Sequence, residues 1–314
     1  MKSSTRGIEA KASKKKRFFS RHDIECTVMI SPAIIGFFVF TLYPIIWAVS
    51  KSFNYYTGVD SQTMFVGLEN FVNIFTRSTG YWTALGNSFL FTLGKLPIEL
   101  PLALCLALIV SKKHRGFKAA RVGLYFPTII SVTVVGLVFT NLFSYSGYIN
   151  TILQKLGLIS APIDYFAHKG SALMILIIAS VWQTFGINTI YFMVALANVP
   201  EEVYESAKLD GAGTFVTLFK ITLPLIAPVL ATILLLAING SLQTGDIVLN
   251  LTNGAPGGQT EVATTFLLKK IVPGFASTSA NIGEGCAAAI INACVYSGVA
   301  LIYSKLSSKV VKYY

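Results

Sequence analysis

Glu205-Ser206-Ala207-Lys208-Leu209-Asp210-Gly211-Ala212, continued by Phe219-Lys220-Ile221-Thr222-Leu223-Pro224, is a polar island between two long apolar runs. It is the chain's only long interior segment that is both helix-prone and charged. Glu201 and Glu202 follow Pro200 and predict a helix start, because proline is tolerated in the first turn and carboxylates favour the positive end of the helix dipole. Gly211 predicts its end. An Asp-Gly turn with φ > 0 and a second helical turn running into Pro224 complete a compact elbow at the membrane surface, the shape of a docking knob.

The flanking runs set the class. In 314 residues, 54% are hydrophobic, 12% are charged and the mean hydropathy is +0.64, which is too apolar for a soluble domain of this size. About 20 mostly apolar residues cross the roughly 30 Å of hydrocarbon in a bilayer. Six segments qualify, near residues 26–49, 84–110, 119–143, 171–197, 222–242 and 283–303. The chain therefore reads as an all-α integral membrane protein with a short helix between its fourth and fifth spans. Three regions follow: a basic tail at 1–25, a transmembrane domain at 26–305 and a C-terminal tail at 306–314.

The net charge of +11 is not spread as a nucleic-acid face; its placement marks orientation. With the N-terminus in the cytoplasm, eighteen Lys and Arg residues fall inside and six outside. This bias satisfies the positive-inside rule, and it puts both termini and the elbow in the cytoplasm. The Lys- and Ser-rich tail at 1–21 carries no core-forming pattern and suits anionic lipid. The run after it is longer than a signal-peptide core and no small-residue cleavage site ends it, so it reads as an anchor.

The elbow resembles the cytoplasmic coupling loop of the membrane subunits of binding-protein-dependent ABC importers. That family's pattern is Glu-Ala-Ala, three residues, Gly, nine residues, then Ile-x-Leu-Pro. Glu205, Ala207, Gly211, Ile221, Leu223 and Pro224 stand in register with it. Ser206 departs from the usual alanine but is small enough to keep the packing. The resemblance covers residues 26–305 and is closest to the maltose-type branch that imports oligosaccharides and related sugars. It implies a permease subunit of a bacterial inner-membrane importer, with Glu205, Ser206, Ala207, Asp210, Gly211 and Ala212 coupling to the ATPases. The implied partners are a second homologous permease, two cytoplasmic ATPases that carry ATP and Mg, an extracytoplasmic solute-binding protein and the sugar. No cofactor is implied on this chain.

In that branch the sugar is held by the helices on either side of the coupling loop. Counting back from Glu205 and on from Pro224 without gaps brings the corresponding positions to Ser180, Gln183, Thr184 and Ile187, and to Ala237, Gly240 and Ser241. Hydroxyl and amide groups there suit sugar hydroxyls, Gly240 leaves room for a ring, and Trp182 and Phe185 are placed nearby for stacking. The competing reading is that small and hydroxylated residues let helices pack closely. Gln183 is the sharper candidate, because an amide in hydrocarbon needs a partner that a ligand or a water-filled cavity would supply.

Three other features stand out. Leu68, Phe71, Val72 and Phe75 lie at helical spacing between the first two spans, an amphipathic stripe suited either to the outer membrane face or to plain packing. Lys95 and Glu99 sit four apart in the second span, with Pro97 between them and Pro101 after, so they share one face as a structural ion pair or a pathway element. Residues 261–272 form an apolar helical stretch too short to span, which reads as an outer-surface element.

Catalytic and metal constellations are missing from the sequence. Cys26, Cys105, Cys286 and Cys294 lie in apolar spans without ligand spacing, and His22, His114 and His168 are scattered. There is no phosphate-binding Gly-x-x-x-x-Gly-Lys-Ser/Thr loop, so ATP chemistry belongs to other chains. A stand-alone secondary transporter would need a coupling-ion site and usually an internal repeat, and a membrane-embedded enzyme would need a catalytic cluster. The sequence offers none of these.

Overall fold

The computed structural model describes residues 21–111, 117–272 and 281–311. The tail before residue 21, most of the basic turn after the second span, and the last three residues lie outside that set. Six stretches among the described residues are long and apolar enough to cross a membrane: Glu25–Ser52, Thr79–Val110, Val132–Lys155, Lys169–Ala197, Thr214–Leu242 and Ile282–Lys309.

The chain divides into an N-terminal unit ending at Ser50 and a second unit that starts at Lys51. The first comprises α1 (Arg21–Phe37), a π-helical turn (Phe38–Leu42) and most of α2 (Tyr43–Ser52). Pro44 explains the π turn. Proline has no N–H to continue the ladder, and the wider turn, closed by Tyr43 N–H on Phe38 O, makes room for its ring.

The second unit begins with a two-stranded hairpin, β1 (Asn54–Tyr55) and β2 (Met64–Phe65), paired antiparallel with Asn54 opposite Phe65. Next comes α3 (Glu69–Thr76), the predicted amphipathic helix. Its Asn70 and Ile74 are buried, whereas Leu68, Val72 and Phe75 are exposed. The long helix α4 (Thr79–Val110) follows and serves three separate packing clusters. Tyr81, Ala84 and Leu85 pack with Leu242, Ala263 and Ala287; Phe91 packs with Val135, Leu176 and Val248; Ala103 and Ala107 pack with Phe192, Ala195 and Ile226.

The sequence reading of one span over 119–143 needs correction. Two helices, α5 (Phe117–Ile129) and α6 (Val132–Phe143), meet at a break over Ile130 and Ser131. Pro127 lies in the last turn of α5, where it weakens the ladder, and Ser131 leaves the helical region at ψ 135°. A short helix, α7 (Tyr148–Lys155), follows. The fourth span is α8 (Lys169–Ala197), and α5 lies close against it: a Cβ on Gly186 would collide with Leu124 O.

The elbow is α9 (Glu201–Leu209), a Gly211 turn, α10 (Thr214–Val216) and a π turn (Thr217–Thr222) that runs without a break into α11 (Leu223–Leu242). The fifth span thus starts at Thr214, eight residues before its expected start at Thr222. Pro224 does not break the helix because Leu223 N–H reaches back to Leu218 O, the same π accommodation seen before Pro44. Beyond α11 lie α12 (Asp246–Leu251), α13 (Ala263–Ile271) and the last span, α14 (Ile282–Val311). The Asn87 amide donates to Gln259 O and Glu261 O, both at 2.8 Å, and so ties the α12–α13 connection to α4.

Candidate functional site

Helices α8 and α11, with the start of α12, wall a cavity of about 510 Å³. From α8 come Ser180, Gln183, Thr184, Ile187, Asn188 and Tyr191, which recur at three- and four-residue steps and so share one helical face. Leu236, Ala237, Gly240 and Ser241 line it from α11, and Gln243, Thr244, Gly245, Asp246 and Ile247 continue the wall. Lys95 and Glu99 of α4 and Val132 of α6 complete it. All seven positions assigned to the sugar by resemblance therefore meet in one wall, with the α4 charge pair beside them.

Glu99 organises the junction of α4 and α8. Its side chain is 1% exposed, and Oε2 lies 3.5 Å from Lys95 Nζ. Its other oxygen, Oε1, accepts the Thr184 hydroxyl at 2.5 Å and Asn188 Nδ2 at 2.8 Å. A carboxylate taken out of water is tolerable only with such partners, because its desolvation otherwise exceeds the attraction of a single counter-charge. The pair is thus buried and ion-paired, and both residues line the cavity.

Gln183 departs from expectation. Its Nε2 donates to Ile130 O at 3.3 Å, a carbonyl released by the α5–α6 break, while the Thr128 hydroxyl donates to Gln183 O at 3.0 Å. Protein backbone therefore takes one of the amide's two N–H donors, where a ligand or cavity water was expected as the partner. Ser241 is the opposite case: it is 2% exposed, and its hydroxyl has no hydrogen-bond partner.

The stacking role expected of Trp182 and Phe185 is also corrected. Neither lines the cavity, and the Trp182 ring packs 5.8 Å from that of Phe139. At 3.6 residues per turn they are rotated away from the face shared by residues 180, 184, 187 and 191, so the aromatic ring on the wall is Tyr191. Asn188 and Tyr191 were missed by sequence reasoning, although stepping four residues on from Thr184 and Ile187 finds them. Gln243, Thr244 and Asp246 likewise line the cavity outside the seven assigned positions.

The elbow closes as its sequence predicts. Gly211 has φ +74°; its N–H reaches Lys208 O at 3.1 Å, and Ala212 N–H reaches Ala207 O at 2.9 Å. This pair of bonds is the Schellman termination, which needs a left-handed residue at Gly211. Glu205, Ser206, Asp210 and Gly211 are exposed, Ala212 is half-buried and Ala207 is buried. Ser206 Oγ donates to Glu202 O at 2.9 Å, so the departure from alanine is absorbed within the helix. The elbow also shows Leu209, 89% exposed, and Phe215, 78% exposed, two apolar residues outside the earlier set.

The family model for the binding-protein-dependent transport system inner membrane component matches residues 99–307. The chain is 36% identical over 225 residues to the probable ABC transporter permease protein YesP of Bacillus subtilis (strain 168), covering 71% of this chain and 72% of that one. It is 31% identical over 253 residues to the lactose transport system permease protein LacF of Rhizobium radiobacter, covering 80% and 83%. A chain in the crystal structure of the bacterial alginate ABC transporter, in complex with alginate pentasaccharide-bound periplasmic protein, superposes with a TM-score of 0.79 at 26% identity, covering 93% and 96%. With its six spans, its polar wall between α8 and α11 and its Gly211 elbow, the chain belongs to the binding-protein-dependent transport system inner membrane components, the permease subunits of ABC transporters.

Proposed function

We propose that this permease forms one half of the pathway of a sugar importer, and that the cavity between α8 and α11 holds the sugar in passage. The observation that carries this reading is Ser241, a buried hydroxyl without a protein partner on the wall of a polar cavity. Leaving such a group unpaired costs about 1–3 kcal/mol, a cost that a hydroxyl-bearing ligand in the cavity offsets. The sugars named for the relatives agree in chemical class.

In this reading a second homologous permease supplies the facing wall, and two ATPases carrying ATP and Mg seat the elbow. A solute-binding protein delivers the sugar from the opposite side, where α13 lies. Both termini and the elbow face the cytoplasm of a bacterial cell, as the distribution of basic residues supports. Exposed Leu209 and Phe215 suit a protein-binding surface better than water.

Ser241→Ala tests the cavity. It removes a hydroxyl that the protein itself does not use, so the assembled complex should be as stable as the wild type. Losing one ligand hydrogen bond, about 0.5–1.5 kcal/mol, should weaken sugar affinity roughly two- to tenfold. Unchanged affinity and uptake would remove Ser241 from the site.

A further inference from the structure

The hydrogen bonds of the cavity wall show which groups remain for a ligand. Asn188 Nδ2 is committed to Glu99 Oε1, and Gln183 Nε2 to Ile130 O. Neither amide can be turned over without setting oxygen against an acceptor, so these orientations are fixed by chemistry. The Thr184 proton lies between Glu99 Oε1 and Ser180 O, at 2.5 and 2.8 Å, and the Thr244 hydroxyl donates to Gly240 O at 3.0 Å. What these side chains retain is mixed: the Gln183 and Asn188 amide oxygens and one further N–H on each amide, with the unpartnered Ser241 hydroxyl beside them, which together match the hydroxyls of a sugar.

Charge separates the classes of ligand that such a wall admits. Lys95 is the lining cation, and Glu99 offsets it at 3.5 Å. Asp246 lines the cavity as well, is exposed, and its carboxylate meets no cation or hydrogen-bond donor among the described residues. The ionisable lining groups thus leave one uncompensated negative charge.

From the free Asp246 carboxylate and the offset Lys95 we infer that this cavity selects neutral sugars and disfavours sugars bearing carboxylates, with Asp246 as a specificity-determining residue. The inference rests on the proposal that the cavity holds a sugar. A uronate has acceptor-only carboxylates. It would have to displace Glu99 from Lys95 while lying near two like charges, a juxtaposition that penalises the wrong ligand more than it helps the right one. Alginate, the sugar in the structural neighbour's complex, is a uronate polymer. The cavity in this chain is built for the other class.

The test measures ligand binding to the assembled, detergent-solubilised transporter without its solute-binding protein, by saturation-transfer NMR. Maltotriose, xylotriose, arabinotriose and raffinose serve as neutral probes and trigalacturonate as the acidic one. The wild type should bind at least one neutral probe about tenfold or more tightly than trigalacturonate. Asp246→Lys should narrow that ratio about tenfold, and Asp246→Asn, which keeps the size of the side chain, by a smaller factor in the same direction. High salt should narrow the wild-type ratio too, because screening acts on charge and not on shape. Preferred binding of trigalacturonate by the wild type would overturn the inference. A ratio unchanged in both variants would overturn it and leave the sugar proposal intact, whereas binding of neither class would remove both.

Discussion

Glu99 and Thr184 join α4 to α8 through a 2.5 Å hydrogen bond, and the carboxylate oxygen that accepts it also accepts Asn188 Nδ2. The buried charge is therefore held by three partners on two helices, with Lys95 the sole cation among them. Lys95→Met should destabilise the complex by about 3–5 kcal/mol, because it strands a carboxylate. Lys95→Met combined with Glu99→Gln should recover most of that loss, since a neutral amide oxygen still accepts from Thr184 and Asn188. Thermal denaturation and yield of the assembled complex distinguish the variants; a double variant less stable than Lys95→Met alone would contradict the pairing.

The Gly211 turn makes a prediction about backbone and not about space. A Cβ there meets nothing within 4 Å, yet φ is +74°. Gly211→Val should cost on the order of 1 kcal/mol or more in local strain and loosen the elbow. Asparagine tolerates the left-handed region, so Gly211→Asn should be nearly silent. Membrane insertion should be normal in both, while ATPase co-purification and uptake fall in the valine variant. Equal uptake in the two would detach the turn from coupling.

Leu209 extends the coupling surface beyond the residues that resemblance supplied. At 89% exposure it contributes nothing to packing within the chain. If the ATPase buries it, Leu209→Ser removes about 1.5–3 kcal/mol of apolar burial at that contact, roughly a tenfold loss of ATPase affinity or more. The folded permease itself should melt at the wild-type temperature. Undiminished co-purification of the ATPase would place Leu209 outside the contact.

Much of this was legible in the sequence, because membrane spans and glycine turns are local signals. Apolar runs of spanning length and the Asp210-Gly211 step each carry their own cause. The α5–α6 break was not legible: Pro127 is tolerated near a helix end, and what marks the break is the Ile130 carbonyl captured by Gln183, residues 53 apart in the chain. The late start assigned to the fifth span has a related origin. Pro224 reads as a helix start, but a π turn carries the helix through it. At the site, counting along α8 located the right face, whereas the partners of Gln183 and the freedom of Ser241 depend on which backbone carbonyls lie across the seam. Helical periodicity does not encode that.

Uptake by a complex carrying Gly240→Phe tests the proposed pathway most directly. A Cβ on Gly240 meets nothing within 4 Å, and the residue lies within α11 on the wall of a cavity of about 510 Å³, so the side chain starts into open space. The substitution also replaces a poor helix former. The complex should assemble with its ATPases as the wild type does, while ATP-driven sugar uptake falls by more than about tenfold, the effect of losing most contacts at one site. Wild-type uptake with a phenyl ring in the cavity would show that the sugar passes elsewhere.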